Sequence, residues 1–157
     1  MAIRTIITGK DNPVLRARAA RVLSFGKDLS KLVRDLHETV EAVKGAGLAA
    51  PQINVSSAVT VAKIGGIFTT LVNPEILWRS TEEVLGEEGC LSLPDIWLFV
   101  PRAREIVVRF RTERGAEQEL ELADFDARVV QHEVDHLLGK LIVDYQATSV
   151  RTPGQAL

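Results

Sequence analysis

The sequence has little of what marks secreted, membrane-bound or nucleic-acid-binding proteins. Its single cysteine excludes a disulfide bond within the chain. The apolar runs are short, and residues 1–5 do not begin a signal peptide or a membrane span. A net charge of −2 does not suggest a surface for nucleic acid. We therefore expect a soluble cytoplasmic protein without membrane contact, in which the thiol stays reduced.

The length and composition fit one folded unit. The chain has 157 residues, and its hydrophobic content of 46% is ample for a single core. No repeat or low-complexity segment divides it. We expect a single domain over residues 1–157.

A metal-binding motif stands near the end of the chain, at His132-Glu133-Val134-Asp135-His136. Residues four apart on a helix share one face, about 6 Å apart, so both imidazoles can bind one ion. Glu133 is rotated about 100° from His132, which places it beside the metal, where a base can take a proton from water. HExxH is short and also occurs in proteins that bind nothing, so the motif alone leaves metal binding open.

The same segment predicts the helix that carries the motif. Phe125, Val129 and Val134 belong to a continuous apolar side. We expect Asp124 or Asp126 to cap the helix start and Gly139 to end it, since these residue types favour those positions.

Other segments predict a surface helix and two β-hairpins. Apolar residues recur at helical spacing over residues 28–43. Segments with strand-like patterns flank Gly65-Gly66 and a Thr-Glu-Arg-Gly turn ending at Gly115. The paired segments are residues 58–64 with 67–72 and residues 105–111 with 117–122. These elements favour an α+β fold, with antiparallel β-sheets around a central helix carrying the HExxH metal site.

Cys90 is the candidate for a third metal ligand, which an open site with two histidines needs. No further His or Glu follows His136 at the usual metallopeptidase spacing. Cys90 lies where Gly89 relaxes the backbone, and we expect Pro94 to end any regular strand there. A lone cysteine is often only a small buried hydrophobe, so both interpretations stay open.

A charge pair is a second prediction for this segment. Glu88 and Arg102 are both next to motif residues, and we expect them to pair and brace the cysteine segment. Such a pair matters only if it is partly buried, since exposed pairs contribute about 0–1 kcal/mol. The alternative is two solvated charges.

Three segments together resemble the peptide deformylase family, in that family's order. They are Gly-Ala-Gly-Leu-Ala-Ala-Pro-Gln at residues 45–52, Glu-Gly-Cys-Leu-Ser at residues 88–92 and Gln-His-Glu-Val-Asp-His-Leu at residues 131–137. Flanking segments agree, so the resemblance covers essentially the whole chain. It implies a catalytic domain that removes the formyl group from N-terminal formyl-methionine and releases formate.

The resemblance also implies roles for individual residues. Cys90, His132 and His136 would hold the metal. Glu133 would act as general base and then acid, while Gln52 and the backbone N–H of Leu91 would form the oxyanion hole. The predicted substrate contacts are Gly47, Ala46, Gly89, Phe125 and Val129.

Cofactor and partners follow from the same resemblance. One thiolate and two imidazoles suit several divalent ions, and family members are typically Fe(II) enzymes, so we expect Fe(II), with Zn(II) or Ni(II) as alternatives. The expected partners are N-formylmethionyl peptides and the ribosome exit region, and we expect a monomer.

Two residues depart from the family pattern. Gly86 stands where relatives often carry a larger apolar residue, which predicts a wider methionine pocket. Trp97 replaces a polar residue near the expected peptide groove. It is either a groove residue or an apolar anchor packed on Leu98 or Phe99.

Two other functions stay open at this point. A general HExxH metallopeptidase would cleave internal peptide bonds, but it needs a ligand downstream of the motif, which is missing. A non-catalytic descendant that binds nascent chains would need neither Glu133 nor Gln52, and both are present.

Overall fold

A buried helix lies between two antiparallel sheets in the computed structural model, which describes residues 2–145 and the backbone of Thr148–Ser149. The helices are α1 (Pro13–Arg16), α2 (Lys27–Ala42) and α3 (Asp124–Leu137), with short 3₁₀ helices at Ala50–Ile53 and Ile142–Asp144. The strands are β1 (Gly47–Ala49), β2 (Val59–Ile64), β3 (Ile67–Arg79), β4 (Glu83–Cys90), β5 (Leu93–Ala103), β6 (Glu105–Arg111), β7 (Glu117–Ala123) and β8 (Thr148–Ser149).

The strands form one five-stranded and one three-stranded sheet. The first has the order β1-β2-β3-β6-β7 and the second the order β4-β5-β8. Helix α3 packs against strands of both sheets, and α2 covers β1 and β2. The predicted α+β architecture around a central helix is confirmed. None of the described helices is long and apolar enough to cross a membrane.

The predicted surface helix and hairpins are confirmed. Helix α2 buries Leu29, Val33, Leu36 and Val40 against the five-stranded sheet. Strands β2 and β3 pair around Gly65 and Gly66, whose φ angles of 58° and 81° suit glycine. Strands β6 and β7 pair over their full length.

The capping prediction for α3 is wrong at its start and right at its end. Ala123 is the N-cap residue, and no side chain caps the helix there. The aspartates have other partners, since Asp124 accepts a hydrogen bond from Arg104 and Asp126 accepts one from the Gly65 N–H. Gly139 follows the C-cap Leu138 with a φ of 75°, as expected for a glycine stop.

The expectation that Pro94 ends any regular strand is wrong, because Pro94 lies within β5. The strand begins at Leu93 and runs through the proline to Ala103. The pairing with β4 shifts register between Gly89–Trp97 and Cys90–Leu93, which leaves Pro94 outside the ladder. The missing N–H of proline therefore costs no sheet hydrogen bond there.

Candidate metal centre and catalytic site

Cys90 at the end of β4 lies next to His132 and His136 in the C-terminal half of α3. One potential ligand atom from each lies within 4.8 Å of the other two, and all three residues are buried. Cys90 Sγ is 3.4 Å from His136 Nε2, and the two imidazole centroids are 5.0 Å apart. Burial holds the pKa of His136 well below its usual value, which keeps its ring neutral and able to bind a cation.

The hydrogen bonds of His132 fit a metal ligand. Its Nδ1 lies 2.8 Å from Glu88 Oε1, and its buried Nε2 has no hydrogen-bond partner within residues 2–145. Burial disfavours charge on the ring, but the nearby Cys90 thiol and the contact with Glu88 raise the pKa of His132 to about 10. Cys90 and Glu88 thus favour a positive charge near His132 Nε2. Either a proton or a divalent cation bound to Nε2 can provide that charge.

Glu88 connects the metal centre to two arginines. Arg102 binds both carboxylate oxygens at 2.8 Å, and Arg128 Nη1 donates to Oε2 at 2.6 Å. Burial alone would raise the pKa of Glu88, but hydrogen bonds from Arg102 and His132 hold it well below its usual range. The predicted Glu88–Arg102 pair is confirmed, and both side chains are nearly inaccessible to solvent.

Arg102 extends this network along α3 to Asp135 and beyond the helix to Tyr145. Its Nη1 donates to Asp135 Oδ2 at 2.6 Å and to Tyr145 Oη at 2.9 Å. The Tyr145 hydroxyl donates to the same Asp135 oxygen at 2.5 Å. These contacts hold the Arg102 guanidinium, which in turn binds Glu88, the carboxylate that contacts His132.

Glu133 lies beside the cluster as a buried acid. Its exposed fraction is 0%, and neither carboxylate oxygen bonds to another group in the described part of the chain. Gly47 faces it so closely that an added Cβ would lie 2.5 Å from Glu133 Oε2. Burial raises the pKa of Glu133 to about 7, a value suited to a group that accepts and returns a proton.

Gln52 places an amide donor next to the thiol. Its Oε1 accepts the Ala49 N–H at 2.9 Å, which fixes the amide so that Nε2 points to Ser92 Oγ at 3.1 Å. The same Nε2 is 4.0 Å from Cys90 Sγ. Leu91 follows the cysteine directly in the turn between β4 and β5. The Gln52 amide thus lies beside the cluster, and Leu91 is the residue that follows Cys90 in the chain.

The residues expected to contact substrate are spread over three places. Gly47 lies on β1 against Glu133, and Gly89 lies against Trp97, whose ring would be 2.5 Å from an added Cβ. Trp97 thus packs over the cysteine segment. Phe125 is 54% exposed, whereas Val129 is fully buried in the main hydrophobic core, with Ala46 packed against it.

A cavity of about 200 Å³ lies between the start of α3 and strands β4 and β5. Phe125 and Gly86 line it, and so does Arg128, which the sequence interpretation missed. A Cβ at Gly86 would be 2.7 Å from the Arg128 guanidinium carbon. The expectation of a wider apolar pocket at Gly86 is therefore wrong, because a guanidinium takes up the space. The spacing of Arg128, four residues before His132, is the signal that could have identified it.

The fold and the buried cluster of one cysteine and two histidines define a class of enzyme, the metal-dependent hydrolases. Residues 3–152 match the profile of the family described as Polypeptide deformylase. The chain belongs to this family.

Relatives and solved structures agree with this assignment. The peptide deformylase of Pseudothermotoga lettingae is 44% identical over 89% of this chain and 81% of its own. That of Acidothermus cellulolyticus is 46% identical over 92% and 79%. The Thermotoga maritima structure has a TM-score of 0.89 and 41% identity, covering 92% of this chain and 98% of that one. The Met-Ala-Ser-bound class I type b enzyme of Acinetobacter baumannii has a TM-score of 0.87 and 34% identity, covering 92% and 98%.

Proposed function

We propose that this chain is a peptide deformylase that hydrolyses the N-formyl amide of formyl-methionyl polypeptides and releases formate. The observation that carries the proposal is the buried Cys90, His132 and His136 cluster with Glu133 beside it, whose carboxylate has no hydrogen-bond partner within residues 2–145. A structural role for a metal would need no unpaired buried acid, because such a group costs stability. Family membership supplies the reaction.

Cys90, His132 and His136 would hold one divalent ion. Bound there, such an ion would supply Lewis-acid chemistry, which makes water more acidic and a carbonyl carbon more open to attack. We propose Fe(II) as the native ion, with Zn(II) or Ni(II) as alternatives, because thiolate and imidazole ligands suit each of them. Metal analysis of protein purified without oxygen tests this assignment.

Glu133 would move the proton in both halves of the reaction. It takes a proton from the attacking water as the oxygen bonds to the formyl carbon. It then delivers that proton to the amide nitrogen as the carbon–nitrogen bond breaks, leaving formate and a free amino terminus. Its raised pKa of about 7 suits both steps.

Gln52 and Leu91 would stabilise the negative charge that develops on the formyl oxygen. Gln52 Nε2 and the Leu91 backbone N–H are neutral donors, so they can stabilise that charge without competing as metal ligands. The hydrogen bond between Ala49 N–H and Gln52 Oε1 holds the amide in place before the substrate binds. Preorganised donors of this kind need no rearrangement during the reaction.

The substrate backbone would lie along β1. This strand is at the edge of the five-stranded sheet, so an extended peptide can add to it through Gly47. Gly89 would leave room on the opposite side. Phe125, with Ala46 and Val129 behind it, would form the apolar part of the pocket for the first side chain. We further propose one catalytic domain that acts as a cytoplasmic monomer near the ribosome exit.

The test is an assay of formate release from formyl-Met-Ala-Ser, followed by mass analysis of the peptide product. We expect formate together with intact Met-Ala-Ser. Cleavage of an internal bond without formate would instead indicate a general metallopeptidase. Binding of the peptide without any product would indicate a non-catalytic protein.

A further inference from the structure

We propose that Arg128 extends the substrate range to formyl peptides whose first side chain carries an oxygen acceptor, of the length of glutamine or methionine sulfoxide. This inference rests on the proposed deformylase function and concerns which first residue that function accepts. Glutamine and methionine sulfoxide both place an oxygen at the fourth heavy atom of the side chain.

The cavity lies beside the first turns of α3, and Arg128 in its wall shares Glu88 with His132 of the candidate metal centre. Phe125, Arg128 and His132 are three and four residues apart, so they lie along one side of the helix. Phe125 and Arg128 line the cavity, and His132 is a predicted metal ligand. A first side chain that leaves the reacting formyl group along this face of α3 therefore meets Arg128 before it reaches Phe125 and solvent.

The Arg128 guanidinium is fixed in the cavity wall. Nη1 donates to Glu88 Oε2 at 2.6 Å and to the Val100 carbonyl at 2.9 Å, and Nη2 donates to the Val84 carbonyl at 2.7 Å. Gly86 permits this placement, because any Cβ there would collide with the guanidinium. The cation is thus built into the cavity, with its side chain only about one-tenth exposed.

Arg128 also retains hydrogen-bonding capacity. A guanidinium has five N–H donors, and three of them make the short contacts above. A fourth contact, from Nη1 to the Gly86 carbonyl, is long at 3.5 Å. Within residues 2–145, Nε has no hydrogen-bond partner. The cavity therefore offers a fixed donor to whatever side chain fills it.

A fixed donor changes which side chain binds well. A thioether is only a weak acceptor, so methionine leaves the donor poorly satisfied when water is displaced. An amide or sulfoxide oxygen accepts a hydrogen bond from it. Pockets that hydrogen-bond a substrate group discriminate more strongly than apolar pockets do, so Arg128 should remove much of the advantage of methionine.

The experiment compares kcat/KM for four peptides that differ only in the first residue. These are formyl-Met-Ala-Ser, formyl-norleucine-Ala-Ser, formyl-Gln-Ala-Ser and formyl-methionine sulfoxide-Ala-Ser. We expect the wild-type enzyme to cleave the glutamine and sulfoxide peptides within about 10-fold of the methionine peptide. In Arg128→Met the two oxygen-bearing peptides should fall by about 10- to 100-fold relative to norleucine.

Arg109→Met is the matched control, because Arg109 is exposed on β6 and pairs with Glu75. It removes the same charge away from the cavity and should leave the peptide ratios unchanged. A wild-type preference for methionine over the sulfoxide of more than about 100-fold would overturn the inference, whether or not the variant folds. So would unchanged ratios in folded Arg128→Met. Absence of formate from all four peptides would overturn the proposed function itself.

Discussion

Glu88 Oε1 lies 2.8 Å from His132 Nδ1, so one ring nitrogen of His132 is committed to a carboxylate and the other faces Cys90 and His136. This contact selects the tautomer with its proton on Nδ1 and leaves the Nε2 lone pair for a cation. The buried Glu88 carboxylate on β4 therefore determines which ring nitrogen of His132 on α3 is available to a cation.

Replacing Glu88 should weaken metal binding. Glu88→Gln keeps the shape of the side chain but removes the charge that orients His132, so we expect about 10- to 100-fold lower metal affinity. Metal retained during titration with a chelator measures this effect. Glu83→Gln, an exposed change at the start of the same strand, is the control. Equal retention in both variants would contradict the prediction.

Replacing Glu133 should abolish proton transfer while sparing the metal. We expect Glu133→Gln to lower kcat for formyl-Met-Ala-Ser by about 100- to 10,000-fold, the usual contribution of a general acid–base group. Metal content should stay at the wild-type level, because Glu133 is not among the three residues proposed to hold the metal. A variant that keeps its kcat would exclude Glu133 as the base.

A single methyl group at Gly47 should displace the base. The added Cβ of Gly47→Ala would lie 2.5 Å from Glu133 Oε2, so the carboxylate must move. We expect a large fall in kcat and a loss of about 1–3 kcal/mol in the free energy of unfolding. Gly26→Ala is the matched control, since its Cβ would meet nothing within 4 Å. Formate release and chemical denaturation of both variants provide the comparison.

Removing the Gln52 donor should slow the chemical step. Gln52→Glu keeps an oxygen to accept the Ala49 N–H but lacks the Nε2 donor beside Cys90. We expect kcat to fall by about 100- to 1000-fold with a smaller change in KM. If instead KM rises while kcat is unchanged, Gln52 contributes to peptide binding only.

The local elements and the metal motif were predictable from the sequence because they depend on short-range patterns. Helix α2 follows from apolar spacing, and the β2–β3 hairpin follows from Gly65-Gly66 between β-branched segments. The HExxH spacing places His132 and His136 on one side of any helix. Cys90 needed the family resemblance, because spacing alone does not say which distant residue completes a ligand set.

The errors come from contacts between distant segments. Asp124 and Asp126 could cap α3, but Arg104 and the Gly65 N–H bind them instead. The glycine at position 86 predicted extra space in the pocket. The Arg128 guanidinium from α3 fills that space, which the sequence around Gly86 does not indicate. Side-chain contacts between a strand and a helix are set by tertiary packing, which local patterns do not specify.

Arg102, Arg128 and His132 share the carboxylate of Glu88, so the proposed role of Arg128 in specificity would be coupled to the proposed retention of the metal. A substitution at Arg128 that alters the preference for the first residue also removes a cation from Glu88. Because Glu88 contacts His132, the substitution should also affect the imidazole proposed to bind the metal. Laboratory evolution of new peptide preferences in this enzyme should therefore select compensating changes around β4, and screens for altered selectivity should monitor bound metal in every variant.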